Sequence, residues 1–175
     1  MIFRPLLAAT ALLSATTAQA QTTACIPQPD AEALFLALAP AMIGSVAATC
    51  APVLPANALL RRSVASLTAK YSAESDAAWP RAKEGLRKLL GPQGGQMVDS
   101  ELARPMVTSM VAPLLAKEVK AKDCPNIDRV LTLIDPLPAK NTAALVVTLL
   151  DMSGAARPKS GRKADLVLCP REARP

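Results

Sequence analysis

Apolar residues recur at three- and four-residue steps along most of this chain, and no segment sustains the alternation of a strand, so the pattern predicts helices throughout. In residues 30–50, Leu34, Leu38, Met42, Val46 and Cys50 fall on one ridge, with Asp30 placed to cap the start. No charge occurs from residue 33 to residue 60, a composition that a membrane span shares. Pro40, Gly44, Pro52 and Pro55 interrupt that run and alanine supplies much of its apolarity, so a buried core helix is expected and not a stable transmembrane protein.

Residues 56–72 carry Leu60, Val64, Leu67 and Tyr71 on one stripe, with Arg61, Arg62 and Lys70 off it. Ser75 or Asp76 is expected to cap a further helix, with Pro80 near its first turn and Trp79, Ala82, Leu86 and Leu90 on its inner face. Gly91 should stop it, and residues 91–95 read as a flexible connector. From Asp99 or Ser100 the ridge Leu102, Met106, Met110 and Leu114 defines another helix, which Pro113 should kink or end. Asp123 or Asn126 then caps a short helix with Ile127, Val130, Leu131 and Ile134 on one face, closed by Pro136. Asn141 is expected to cap the last helix, with Leu145, Leu149 and Met152 on one side, Val146 and Leu150 beside them, and Gly154 at its end. The fold expected is all-α: an irregular bundle-like or orthogonal array of five to six helices.

The two ends of the chain read differently. Arg4, an apolar run over residues 5–13 and the small residues Ala18 and Ala20 are ordered as in a cleaved export signal, with cleavage after Ala20. Residues 21–175 then form a single helical domain. Within it, residues 155–175 make a basic, loop-like tail whose apolar anchor is Leu166, Val167 and Leu168. The protein is therefore expected in the periplasm or outside the cell.

Cysteine usage agrees with that compartment: Cys25, Cys50, Cys124 and Cys169 are an even set and imply two disulfides. Pairing nearest neighbours, Cys25 with Cys50 and Cys124 with Cys169, closes the shortest loops and is the expectation. A straight helix over residues 31–49 would be about 28 Å long, however, beyond disulfide reach. Either Pro40 bends that segment or the pairing differs. No C-x-x-C motif is present, and four scattered cysteines make a poor zinc site. Lipidation of Cys25 is a lesser reading, since Thr22 stands where lipoprotein signals usually carry leucine and three thiols would remain.

Composition narrows the chemistry. The 175 residues contain no histidine, which removes Ser-His-Asp triads, Cys-His dyads and metal sites with imidazole ligands. Residues 153–160 lack two features of a phosphate loop, namely glycines at Ser153 and Pro158 and a preceding strand. The acid pairs Glu74/Asp76 and Asp99/Glu101 stand at expected helix starts, where capping explains them better than catalysis. Ser63, Ser66 and Ser109 fall in no nucleophile motif. Met106 and Met110 are expected in the core, with the lining of an apolar-ligand site as the alternative. No catalytic, cofactor-binding or metal-ligating residue is assigned, and no cofactor is implied.

The formal charge of +6 leaves one surface candidate. Lys117, Lys120, Lys122, Arg162 and Lys163 are placed to touch an anionic envelope surface or an envelope protein. Nucleic acid is not expected as a partner, because aromatics are scarce and no recognition motif appears. The runs LPANALLRRS (54–63), AWPRAKEGLRKLL (78–90), ARPMVTSMVAPLL (103–115) and DCPNIDRVLTLIDPLPAKNTAALVVTLL (123–150) resemble a group of uncharacterised exported α-helical bacterial proteins. That resemblance implies export and an all-helical fold and no activity. The sequence thus predicts a non-enzymatic binding or interaction protein. The alternatives are a carrier of an apolar or lipid-like ligand and a cell-envelope hydrolase using Asp or Glu.

Overall fold

The uncharged stretch that opens the chain folds as one long helix. In the computed structural model, which describes residues 25–154 and 167–170, α1 runs unbroken through Gln28–Cys50. Pro27 precedes it and Pro29 occupies its first turn, where a missing N–H costs nothing. Asp30 is therefore not the cap: it lies inside the first turn, buried, with its carboxylate 2.6 Å from Lys88 Nζ and 3.8 Å from Arg81 Nη1. Pro40 is accommodated without a break, because the single hydrogen bond it removes is small against the apolar area that α1 covers.

Six α-helices follow one another among the described residues: α1, α2 (Leu59–Arg62), α3 (Val64–Asp99), α4 (Ala103–Glu118), α5 (Cys124–Ile134) and α6 (Ala139–Met152). The array is all-α, as the pattern predicts. Helix α1 is its central strut, packed by α3, α4 and α6. The segment Gln28–Val53 is long and apolar enough to cross a bilayer, yet ten of the residues of α1 are buried within the bundle. Leu36, Ala39 and Ile43 of α1 meet Leu67 and Tyr71 of α3 and Ala139 and Ala143 of α6 in the main core. Gly85 marks the close approach of α3 to α1: a Cβ there would stand 2.7 Å from Ile26 Cδ1 and 3.3 Å from Asp30 Cβ.

Several expected boundaries move. Residues 64–90 form one helix, so Ser75 and Asp76 cap nothing and Pro80 is interior. Ser75 is fully buried and its hydroxyl donates to the Ala37 carbonyl at 2.9 Å, joining α3 to α1. Gly91 does interrupt the helix, with φ 66° and ψ −171°, but 92–99 resumes helical geometry where a connector is expected. Helix α4 passes through Pro113 to Glu118. Helix α6 starts after Pro138, which places Asn141 within its first turn.

The disulfides are Cys25–Cys169 and Cys50–Cys124, which corrects the nearest-neighbour pairing. The reason is the one the helix length anticipates. Unbroken α1 separates Cys25, just before its start, from Cys50 at its end, so each must find a partner from elsewhere. The first bridge ties the tail to the start of α1. Ile26 N–H donates to the Val167 carbonyl (2.8 Å) and Cys169 N–H to the Ile26 carbonyl (3.0 Å), an isolated parallel bridge that seals Ile26 and Leu168 against Val147. The second joins the end of α1 to the start of α5 inside a cluster of Ala47, Leu54, Ala58 and Leu60.

Candidate functional site

Helix α5 is short, and three restraints hold it beside α1. Its first residue is bridged to Cys50. One turn on, the Asp128 carboxylate accepts from Leu60 N–H at 2.8 Å and Leu59 N–H at 3.3 Å, capping α2 from across the chain. Past its end, Lys70 Nζ donates to the Asp135 carbonyl. Held in this way, Ile127, Leu131 and Ile134 face α1 while Val130 stays 56% exposed.

Between them lies an open apolar groove of about 240 Å³. Phe35, Met42 and Val46 of α1 form one wall and Ile127, Val130 and Ile134 the other, with Val146 of α6 also on the lining and no charged residue among it. Tyr71 contributes the one polar side chain, and its ring meets Phe35 edge-on at a centroid distance of 6.5 Å. The arrangement can hold a small apolar group by burial and offers it no charged side chain.

A second cleft, about 320 Å³, lies between α1, α3 and the start of α6 and contains Glu32, Glu74, Arg81 and Lys140. Burial pushes the Glu32 carboxyl above its ordinary range, and the Arg81 charge works against that. Glu74 is bound by Lys140 at 3.2 Å. Arg81 is shared, since its ion pair at 3.8 Å is with Asp30. Two of the other acids of the expected pairs are also engaged, Asp76 with Arg104 at 2.6 Å and Asp99 with Arg87, while Glu101 is exposed. Glu74 and Asp76 sit mid-helix, so ion pairing replaces the capping role expected of them. Among the described residues no group of three or more Cys, Asp or Glu is placed to hold a metal ion.

The methionine stripe is the largest departure from expectation. Leu102, Met106, Met110 and Leu114 are exposed by 65, 42, 65 and 60%, so the ridge expected in the core, or lining a ligand site, faces outward. On α6 the expected inner residues Leu145, Leu149 and Met152 are exposed too, while Ala139, Thr142, Ala143 and Val147 are buried instead. Lys117, Lys120 and Lys122 are exposed together after the ridge, at the Cys50 end of α1. Arg162 and Lys163 lie outside the described residues. The described part of the tail meets the opposite end of α1, about 34 Å away along the helix.

Asp128 and Asp30 carry structural roles that spacing does not reveal, since the signal for each is a partner distant in sequence. Comparison with protein-family models, with curated proteins and with solved structures finds no match to this chain.

Proposed function

We propose that this chain is an exported, disulfide-locked helical binding protein, acting in the periplasm or outside the cell, that holds an apolar group of a small ligand in the α1–α5 groove. The groove carries the reading: an uncharged cleft of about 240 Å³, open along Val130, on a helix clamped in place. Ligand sites are concave and mostly apolar, and this volume suits a short acyl chain or an aryl ring better than a whole larger ligand. Export is supported by the succession of basic, apolar and small residues in the sequence of residues 1–20, by two disulfides of the kind oxidising compartments permit, and by the resemblance to exported helical proteins. Catalysis has less support, because Glu74 of the charged cleft and Asp76 of the same helix are paired with cations.

The test has two parts. Amino-terminal sequencing of protein released from the periplasm should begin at Gln21; retention of residue 1 refutes export. A naphthylamine-type apolar fluorophore should bind saturably at one site. Val130→Arg, which sets a charge on the exposed lip, should weaken that binding at least tenfold with the fold intact. Absence of saturable binding, or binding indifferent to Val130→Arg, refutes the groove as the site.

A further inference from the structure

We propose that the exposed face of α4 is the contact surface for a second copy of this chain, the two α4 helices lying antiparallel about a two-fold axis. This uses a different face from the groove and stands apart from the groove's ligand.

The first observation is the length of uncharged surface. From Pro105 to Ala116 there is no ionisable side chain, a run of about 18 Å of helix. The outward residues of that run are apolar at four-residue steps: Met106, Met110 and Leu114, preceded by Leu102. The polar group on this face is already satisfied, because Ser109 Oγ donates to the Met106 carbonyl of its own helix at 2.8 Å. Covering the face therefore strips no unpaired hydroxyl of water.

The second observation is that the ridge is its own complement. A two-fold axis level with Thr108 sets Leu102 against Leu114 of the other copy and Met106 against Met110. Such isologous matching is what a closed dimer requires. The ends carry charges of opposite sign. Glu101 is exposed before the helix, and Lys117 continues the exposed line after it, seven residues beyond Met110. In the antiparallel arrangement Glu101 of one copy comes within about 3 Å, measured along the axis, of Lys117 of the other. The other charges nearby leave this pairing free. Arg104 is engaged with Asp76 and Asp99 with Arg87, and Glu118, also exposed, is turned about 100° around the helix from Lys117.

That charge pattern decides between occupants. An anionic bilayer would want cations at both ends of the face, whereas exposed Glu101 stands at its start and Lys117 at its end. Opposite ends of opposite sign favour a copy of the same helix reversed.

Sedimentation velocity of the oxidised protein, at concentrations up to about 1 mM, tests this. The wild type should reach twice the monomer mass. Met106→Asp with Met110→Asp should raise the dimer Kd at least about thirtyfold. Circular dichroism and fluorophore binding at the groove should stay unchanged in that variant. Glu101→Lys alone should weaken the dimer, and adding Lys117→Glu should restore it. A monomer at every concentration overturns the proposal, as does a dimer indifferent to the methionine substitutions. A charge swap that fails to restore overturns the antiparallel register. A monomer that co-sediments with phosphatidylglycerol vesicles through Met106 and Met110 assigns the face to lipid and overturns the proposal as well.

Discussion

Removing the disulfide between Cys25 and Cys169 should cost this protein about as much as removing the one between Cys50 and Cys124, although the first joins residues twice as far apart. The bridges are nested, with sequence separations of 144 and 74. Taken alone, chain-entropy arguments give about 5 kcal/mol for a loop of the larger size and about 4.5 for the smaller. Nesting changes the comparison. With Cys50–Cys124 formed, the outer bridge closes a ring of only about 70 residues, made of the segments from Cys25 to Cys50 and from Cys124 to Cys169, and contributes about 4.4 kcal/mol. The inner bridge, formed with the outer in place, contributes the remainder of the total, about 3.8 kcal/mol. Equilibrium urea unfolding of Cys25→Ala/Cys169→Ala and of Cys50→Ala/Cys124→Ala, followed by circular dichroism, measures both. At a slope of about 2 kcal/mol per molar, each midpoint should fall by about 2 M. A loss below about 1 kcal/mol in either variant refutes the reasoning. So does a peptide map that recovers Cys25 linked to Cys50.

Three further outcomes follow from single contacts. Asp128→Ala should cost about 1–2 kcal/mol by uncapping α2, read as a lower urea midpoint, and Asp128→Asn should lose less because an acceptor oxygen remains. Gly44→Ala should stabilise by about 1 kcal/mol, the ordinary helix preference, because open space surrounds Gly44. Gly85→Ala should instead destabilise by about 1 kcal/mol or more, because its methyl meets buried Ile26; equal signs in thermal unfolding would contradict the packing. Glu32 holds its proton more tightly in the folded state than in the unfolded one. It therefore lowers stability progressively as pH rises through the carboxylate range, and its cost is fully present at neutrality. Glu32→Gln should raise Tm at pH 7 and leave it nearly unchanged at about pH 3.5, and the reverse ordering would sink the assignment.

Much of the helical order is legible in the chain, and the places where it is not share causes. The stripe of Leu60, Leu67 and Tyr71 is buried as its spacing implies, and Val167 and Leu168 deliver Cys169 as an extended anchor. Prolines mislead: Pro40, Pro80 and Pro113 all sit inside helices, because neighbouring packing outweighs one lost hydrogen bond. Sequence proximity misleads on the disulfides, where the rigidity of α1 rules. Periodicity misleads most on α4 and α6. A regular apolar ridge says that a face is apolar, not that this chain covers it. Helix α6 buries its small residues Ala139 and Ala143, which allow close approach to α1, and leaves Leu145 and Leu149 outside. The groove was beyond reach for the same reason, since its walls come from α1 and α5, which spacing cannot juxtapose.

The two bridges should differ in what they do for function even where they match in stability. Cys50–Cys124 fixes the start of α5, one wall of the groove, and the Ala121–Asp123 turn that leads there from α4. Its cluster also takes in Val119, the residue just after α4, and Ile127 of the groove. Cys25–Cys169 lies at the other end of α1, where neither the groove nor the α4 ridge reaches. Loss of the inner bridge should therefore weaken fluorophore binding at the groove by tenfold or more, under conditions where the protein remains folded. Loss of the outer bridge, at a similar cost in urea midpoint, should leave binding within twofold. Stability and binding are then separated by comparing two variants equally destabilised, and parallel losses in both would show that the groove depends on global stability and not on the clamp at the head of α5.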